Sequence, residues 1–273
     1  MSEALSPVEE AIRNPQSATP AYPLDQTEIT VNIKAGGKVL SHKLKRPTLA
    51  QLIEREDRIS VQSQAVSDTE EAIIGDSDDE VANAKLWDEI AVEVKGYRMA
   101  NEPVDVVNNW RTTAELKKYI PAAHKSGAIR AMYQSTVELE KDDTEGFTLG
   151  AQEWTIRQTF GDPDFPAFLI RHRLRTPTEN DRREFKRKAT EVRFGRGSRR
   201  QTTKVLTRLK AYVDMYDLLV VGIAGATMND QTWESYSAPN VAGLGGFIAA
   251  VDPIFKRQVV DCLMKEFDAR VSD

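Results

Sequence analysis

The chain has 273 residues, of which 40% are hydrophobic and 29% charged, so it can build one large domain or two small ones. A single cysteine, Cys262, excludes a disulfide framework and a cysteine zinc cluster. The first residues lack the regions of a signal peptide, and the longest apolar run, 218–226, is shorter than the ~20 residues of a membrane helix. We therefore expect a soluble intracellular protein.

Charge is distributed unevenly along the chain, although the net charge is only −5. Residues 66–93 carry ten acidic side chains and one basic one, whereas residues 171–210 carry fifteen basic side chains and four acidic ones. This asymmetry indicates either an interaction surface or attraction between copies of the chain. Two solvated helix faces explain it equally well.

The first half begins with an arm and a hairpin. Residues 1–23 are rich in proline and polar side chains, which predicts a flexible arm. Hydrophobic residues alternate over 29–34 and 39–45 on either side of Ala35-Gly36-Gly37, the pattern of a β-hairpin. Pro47-Thr48 then ends the strand, and a capping box of Thr48 and Gln51 begins a helix predicted over 49–63.

An acidic linker, 63–84, precedes the second predicted helix of the first half. That helix places Leu86, Trp87, Ile90, Ala91, Val94 and Tyr97 on one face. A loop containing Trp110 follows, and Pro121 opens a last helix.

The second half repeats this order. His42-Lys-Leu-Lys-Arg-Pro-Thr48 returns as His172-Arg-Leu-Arg-Thr-Pro-Thr178, and two further matches, 86–88 with 215–217 and 120–133 with 251–264, follow at nearly the same offset. Its predicted elements are strands from 154–160 and 167–175, a helix over 179–193, a basic linker 195–203, a long helix from Leu206 to Ile223, a loop with Trp233 and a helix from Pro253. The acidic and basic linkers therefore occupy matching positions.

We predict an α+β fold, a tandem duplication of a β-hairpin plus three-helix module. The predicted organisation is an arm at 1–23, a first module at 24–141, a linker at 142–149 and a second module at 150–273.

Signatures of catalysis and of bound cofactors are missing from the sequence. Asp76 to Glu80 resembles a calcium loop without its required glycine and final glutamate, and Gly243 to Gly246 lacks the dinucleotide pattern, which favours a loop or helix packing. His42 and His172 occupy equivalent positions without further metal ligands at a suitable spacing, and we interpret them as polar residues on strand faces. We expect no enzyme activity, no cofactor and no metal.

The stretch 38–53 resembles the opening of tail assembly chaperones of contractile-tailed phages and prophages. The resemblance lies in a hairpin, a basic turn and a helix, carried by Leu44, Arg46, Pro47, Thr48, Leu49 and Leu52; the second half keeps Leu174, Pro177 and Thr178, with Arg182 replacing a leucine. It covers about 30 residues per copy, and this chain is longer than the usual single module of that family. It implies a non-catalytic protein of the bacterial cytoplasm, or of the virion, that holds tape-measure or tube subunits before tail assembly.

Three hypotheses follow. A chaperone would bind its partner helix through apolar residues, for which the candidates are Met99, Trp110, Met132, Met228 and Trp233, although each of these can instead belong to the core. A structural tail or connector adaptor would self-associate through charged loops, with Arg193, Arg196, Arg199, Arg200 and Lys204 opposite Asp76, Asp78, Asp79 and Glu80. A nucleic-acid-binding protein would use residues 193–204, but the chain is not basic overall.

Overall fold

The structure is a computed structural model that describes residues 21–59, 61–65, 71–73, 79–140, 151–160, 168–194, 202–229, 231–233 and 241–267. Its strands are β1 (Tyr22–Pro23), β2 (Glu28–Ala35), β3 (Lys38–Lys45), β4 (Val61–Ala65), β5 (Glu71–Ile73), β6 (Ala91–Lys95), β7 (Arg111–Thr112), β8 (Ser135–Leu139), β9 (Glu153–Phe160), β10 (Phe168–Arg175), β11 (Thr190–Phe194), β12 (Thr202–Thr207), β13 (Val220–Ala224), β14 (Ala226–Met228) and β15 (Gln231–Trp233). Its helices are α1 (Leu49–Arg58), α2 (Asp79–Ile90), α3 (Thr113–Leu116), α4 (Ala122–Met132), α5 (Glu179–Ala189), α6 (Leu209–Leu219), α7 (Val241–Ala250) and α8 (Pro253–Phe267), with a 3-10 helix at Val104–Asn108. The predicted α+β class is confirmed.

The chain divides into two compact units, each named here after its central histidine. The His42 unit comprises residues 26–134 and 178–215, and the His172 unit comprises the described residues of 1–25, 135–177 and 216–273. These units differ from the predicted modules at 24–141 and 150–273, because residues 178–215 of the second half join the first and β8 pairs with β9.

The His42 unit is built on a sheet of order β2-β3-β6-β7. Its hairpin turns at Gly36 and Gly37, which both have positive φ values (55° and 74°), as a two-residue hairpin turn requires. The capping box at Thr48 and Gln51 is present as predicted: the Thr48 hydroxyl accepts from the Gln51 amide at 3.3 Å, and the Thr48 amide donates to Gln51 Oε1 at 2.9 Å. Helix α4 packs on β2 and against α2, which closes the core.

The His172 unit contains a sheet of order β13-β10-β9-β8, against which α8 packs on β8 and β9. A second sheet of order β1-β14-β15 begins with Tyr22, which is only 9% exposed. The end of the predicted flexible arm is therefore anchored, because the Tyr22 ring is buried. Residues 1–20 lie outside the described residues.

The long helices predicted in each half are shorter than expected, because each passes directly into a strand. Helix α2 ends at Ile90 and continues as β6, and α6 ends at Leu219 and continues as β13. The helical prediction through Tyr97 and through Ile223 was wrong because these apolar runs pair with β3 and β10, and apolar residues at such spacing fit either pattern. Likewise α1 and α5 end before β4 and β11, and Leu206 lies in β12.

Four strands at or beside the two predicted charged linkers form one sheet. Its order is β11-β12-β4-β5, and β12 pairs with β4 in antiparallel register from Thr202↔Gln64 to Val205↔Val61. The acidic linker predicted at 63–84 therefore contains strand residues and the start of α2, and the described end of the basic linker is part of β12. Residues 195–201 lie outside the described residues. This pairing ties residues 178–215 to the His42 unit.

Candidate functional site

Glu102 fixes the loop between β6 and β7. Its carboxylate accepts from both terminal nitrogens of Arg111, at 2.5 and 2.7 Å, and from the Met99 amide at 2.7 Å. Arg98 also donates to the Glu102 carbonyl oxygen at 3.0 Å. The hydrogen bonds from Arg111 and Met99 hold the pKa of Glu102 below its usual range. The loop is thus held in one conformation by a bidentate ion pair.

This loop presents apolar side chains to solvent. Val104 is 72% exposed, Trp110 is 39% exposed and Met99 is half-buried. Val39, 52% exposed, lies at the start of β3 beside Gly96, whose amide donates to the Val107 carbonyl at 3.0 Å. The loop follows β6, which pairs with β3 and β7, and we call the four side chains of this part of the unit the Trp110 surface: Val39, Met99, Val104 and Trp110.

Lys43 lies beside the Trp110 surface. Its ammonium sits 5.3 Å from the centre of the Trp110 ring and donates to Glu93 at 2.6 Å. That hydrogen bond raises the pKa of Lys43. The exposed tryptophan is therefore oriented by a cation, and it presents a rigid aromatic anchor of the kind found in protein interfaces.

The other predicted partner-binding residues lie elsewhere. Met132 is 6% exposed and belongs to the core of the His42 unit, so it offers no surface for a partner. Met228 is half-buried in the His172 unit beside Gly246, where a Cβ would lie 3.1 Å from its terminal methyl carbon. This contact accords with the helix packing predicted for Gly243 to Gly246. Trp233 lies in β15.

The predicted charged residues fall into three places. Arg193 lies in β11 opposite Lys204 of β12, and Lys204 in turn pairs with Gln62 of β4. Asp79 and Glu80 lie in the first turn of α2, where the helix dipole stabilises carboxylates. The remaining members lie outside the described residues: Asp76, Asp78, Arg196, Arg199 and Arg200. The backbone pairing of β12 with β4 places one basic residue, Lys204, beside four uncharged residues, 61–64.

The two histidines of the repeated motif are fully buried, with 0% exposure each. Both lie in strands, as predicted, and both side chains belong to the cores of their units. Burial lowers the pKa of His42 to about 4, helped by His124, and the pKa of His172 to about 3. Both rings are therefore neutral at neutral pH.

The tautomer of His42 follows from its neighbours. The Trp87 indole N–H can only donate, and it donates to His42 Nδ1 at 3.1 Å. His42 therefore carries its proton on Nε2, 3.2 Å from the Tyr97 hydroxyl, which is 3.3 Å from His124 Nδ1. The Tyr97 hydroxyl therefore accepts from His42. A chain of two hydrogen bonds connects the buried ring through Tyr97 to the half-buried His124.

The same tautomer occurs at His172. The Gln158 amide nitrogen donates to Ser135 at 3.0 Å and to Gln258 at 2.9 Å, which leaves Gln158 Oε1 to accept from His172 Nε2 at 3.1 Å. His172 Nδ1 then accepts from the Tyr216 hydroxyl at 2.7 Å. Burial raises the pKa of Tyr216, with the Asp217 charge adding to the effect. This histidine is enclosed in a network of neutral groups.

A lysine covers the aromatic donor in each unit. Lys125 lies 5.2 Å from the Trp87 ring centre and donates to Asp88 at 2.7 Å. Lys256 lies 5.5 Å from the Tyr216 ring centre and donates to Asp217 at 2.6 Å. The lysines are buried, with side chains 10% and 4% exposed, whereas both carboxylates are about two-fifths exposed.

We call these groups the histidine clusters: His42, Trp87, Asp88, Tyr97, His124 and Lys125 in one unit; Ser135, Gln158, His172, Tyr216, Asp217, Gln258 and Lys256 in the other. Sequence reasoning paired the two histidines and the two lysines but missed the aromatic donors as partners of the rings. The signal was present, because Trp87 aligns with Tyr216 at nearly the same offset as the histidines.

The clusters have the chemistry of structural networks. Both ring nitrogens of each buried histidine are engaged by protein groups, so neither nitrogen is free to take a proton from a substrate. Cys262 is half-buried, and burial raises the pKa of its thiol, which disfavours a nucleophilic thiolate. Within the part of the chain that the structure describes, no three His, Cys, Asp or Glu side chains are arranged to hold a metal ion.

None of the described helices combines the length and the apolar character that a membrane crossing demands. Comparison with protein-family models, with curated proteins and with solved structures finds no match to this chain.

Proposed function

We propose that this chain is a non-catalytic tail morphogenesis protein of a phage or prophage, which binds tape-measure or tube subunits during assembly. The observation that carries the binding role is the Trp110 surface, in which apolar side chains are exposed on β3 and on a loop that the Glu102–Arg111 ion pair ties together. A loop that is already ordered loses little conformational entropy when a partner binds. The link to phage tails comes from the resemblance of residues 38–53.

The described geometry of that stretch supports a scaffold role for its motif. Leu44 and Leu52 are both 0% exposed, and Thr48 caps α1. The motif residues thus hold the hairpin and the helix together, while the partner contacts fall to the neighbouring loop. A helical partner segment would place its apolar face on Trp110 in the helix-in-groove mode.

The experiment is co-expression of the full chain with a helical fragment of the tape-measure protein from the same phage. The wild-type chain should keep the fragment in the supernatant and retain it on an affinity column. Trp110→Ala should weaken binding at least tenfold, because buried tryptophans dominate interface energetics. The matched control is Tyr119→Ala, which removes another exposed aromatic of the same unit that also lies beside a lysine.

Two results would contradict the proposal. One is a fragment that precipitates whether or not the wild-type chain is present. The other is Trp110→Ala and Tyr119→Ala chains that bind equally to wild type, with unchanged unfolding midpoints for both. A tube-subunit fragment tested in the same way separates the two partner classes.

The structural adaptor is the second candidate. It requires self-association that weakens with salt, since exposed charges are screened over ~10 Å at 0.1 M salt. Among the residues that pair between β12 and β4, only Lys204 is charged, so this pairing leaves the acidic candidates Asp79 and Glu80 of α2 available to a second copy. Light scattering across a salt series distinguishes the candidates, because a charge-driven assembly dissociates as salt rises.

A further inference from the structure

A short segment near the start of the chain docks on the edge of a sheet in the His172 unit. Tyr22 and Pro23 pair in parallel with Ala226 and Thr227. The Tyr22 amide donates to the Gly225 carbonyl at 2.9 Å, and the Leu24 amide donates to the Thr227 carbonyl at 2.8 Å. The contact has the form of a peptide added to a sheet edge.

Side chains make this docking specific. The Tyr22 ring stacks on Phe160 with centroids 4.8 Å apart and meets Phe168 and Phe255 edge-on at 5.5 and 5.9 Å. Leu24 is only 3% exposed. The three phenylalanines thus form a pocket that the tyrosine fills, which we call the Tyr22 pocket.

A polar contact closes the far end of the segment. The Asp25 carboxylate accepts from the Asn229 amide at 2.8 Å, and Asn229 has a positive φ of 51°. A hydrogen bond to a carboxylate is stronger than one between neutral groups. The site therefore recognises the sequence Tyr-Pro-Leu-Asp at both its apolar and its acidic ends.

The segment and its pocket are far apart in the sequence. Residues 22–25 belong to the His172 unit, but the chain that follows, 26–134, belongs to the His42 unit, and the His172 unit resumes at Ser135. The segment is held in the pocket by non-covalent contacts that any copy of the chain can supply. Short segments with this connectivity can exchange between protomers without any new contact.

We propose that the Tyr22 pocket is a docking site for residues 22–25 of a second copy, so that copies of the chain associate by exchanging this segment. Each copy then contributes Tyr22 to its partner's pocket. The balance between the internal and the exchanged form depends on the effective concentration of the tethered segment relative to the protein concentration. This association uses apolar and backbone contacts, so it persists at high salt.

Cysteine crosslinking tests the exchange directly. Pro23 and Thr227 are register partners, so Pro23→Cys and Thr227→Cys are made in a Cys262→Ala chain, together and separately. The double variant reports the internal contact as an intrachain disulfide. The two single variants, co-expressed with different tags, should form a disulfide-linked heterodimer, whereas Pro23→Cys with Tyr119→Cys should not. An intrachain disulfide without any heterodimer at high protein concentration would overturn the proposal.

A peptide measurement gives an independent readout. A fluorescent peptide of residues 19–27 should bind the full Tyr22→Ala chain, because its own segment no longer competes well. A Tyr22→Ala peptide should bind at least tenfold more weakly, given the apolar area that the tyrosine buries. The wild-type and Tyr119→Ala chains should both bind the peptide more weakly than the Tyr22→Ala chain does. A Tyr22→Ala chain with native circular dichroism that binds neither peptide would contradict the proposal.

Discussion

The two histidine clusters share the group that contacts Nδ1 of the buried imidazole but differ in the group that contacts Nε2. Each buries a neutral imidazole whose Nδ1 accepts from an aromatic donor, the indole of Trp87 or the phenol of Tyr216. They differ at Nε2: His172 meets the neutral amide of Gln158, whereas His42 is linked through Tyr97 to His124, a second titratable ring. The aromatic donor to Nδ1 fixes the tautomer in both clusters. The partner of Nε2 differs, and only in the His42 cluster does it connect the buried ring to a second titratable side chain.

The largest expected effect concerns pH. The folded-state pKa values, about 4 for His42 and about 3 for His172, lie below the ordinary 6.5. Between each folded-state value and 6.5, the unfolded chain therefore binds more protons than the folded chain. Stability is complete above pH 6.5 and is lost as the pH falls, by about 2 kcal/mol per histidine at pH 5. Urea unfolding at pH 7.5 and pH 5 measures this loss.

The control for that measurement is a glutamine at each position in turn. His42→Gln and His172→Gln should each remove about half of the histidine contribution to the pH dependence between those two values. The interpretation fails if either variant keeps the full wild-type slope.

The next prediction compares the stability lost when the carboxylate of each lysine pair is removed. Asp217→Asn leaves the ammonium of Lys256 without its carboxylate, and that side chain is 4% exposed, compared with 10% for Lys125 beside Asp88. Because both carboxylates are partly solvated, we expect a loss of about 2 kcal/mol for Asp217→Asn and a smaller loss for Asp88→Asn. Equal losses, measured by urea unfolding, would show that lysine burial does not set the difference.

The last comparison concerns the two hydroxyl groups, and its smaller member is the weakest effect that we expect. Tyr216→Phe leaves His172 Nδ1 without its donor in a fully buried site, which should reduce stability by about 2 kcal/mol. Tyr97→Phe removes a hydroxyl from a side chain that is half-buried, whereas Tyr216 is fully buried, and we expect a smaller loss of about 1 kcal/mol. The reverse order in thermal unfolding would contradict this account of the two networks.

Hairpins and caps were predictable from the sequence because their signals are local. The glycine pair of the first hairpin, the capping box at Thr48 and the proline at the start of α8 each act within a few residues. Strands β6 and β13 were not predictable, because their apolar runs fit a helix until β3 and β10 compete for them. Non-local pairing decided between two patterns that the sequence alone allows.

The candidate site was partly predictable. Of the residues predicted to contact a partner, Trp110 is exposed and Met99 half-buried, whereas Met132 occupies the core position that the sequence had left open for each of them. The role of Glu102 was missed because its partners, Met99 and Arg111, are recognisable only once the loop is folded. The tandem duplication stays a prediction from the sequence offsets alone.

The pairing of β12 with β4 has a consequence for the order of folding during synthesis. Gln64 meets Thr202, so the ribosome has to deliver about 140 further residues before β4 acquires this neighbour. At 5–20 residues per second that interval lasts roughly 7–28 s. During that time β4 has an unpaired edge, the kind of edge that other strands join. Completion of the His42 unit is therefore a late event in the synthesis of this chain, set by contact order rather than by local propensity.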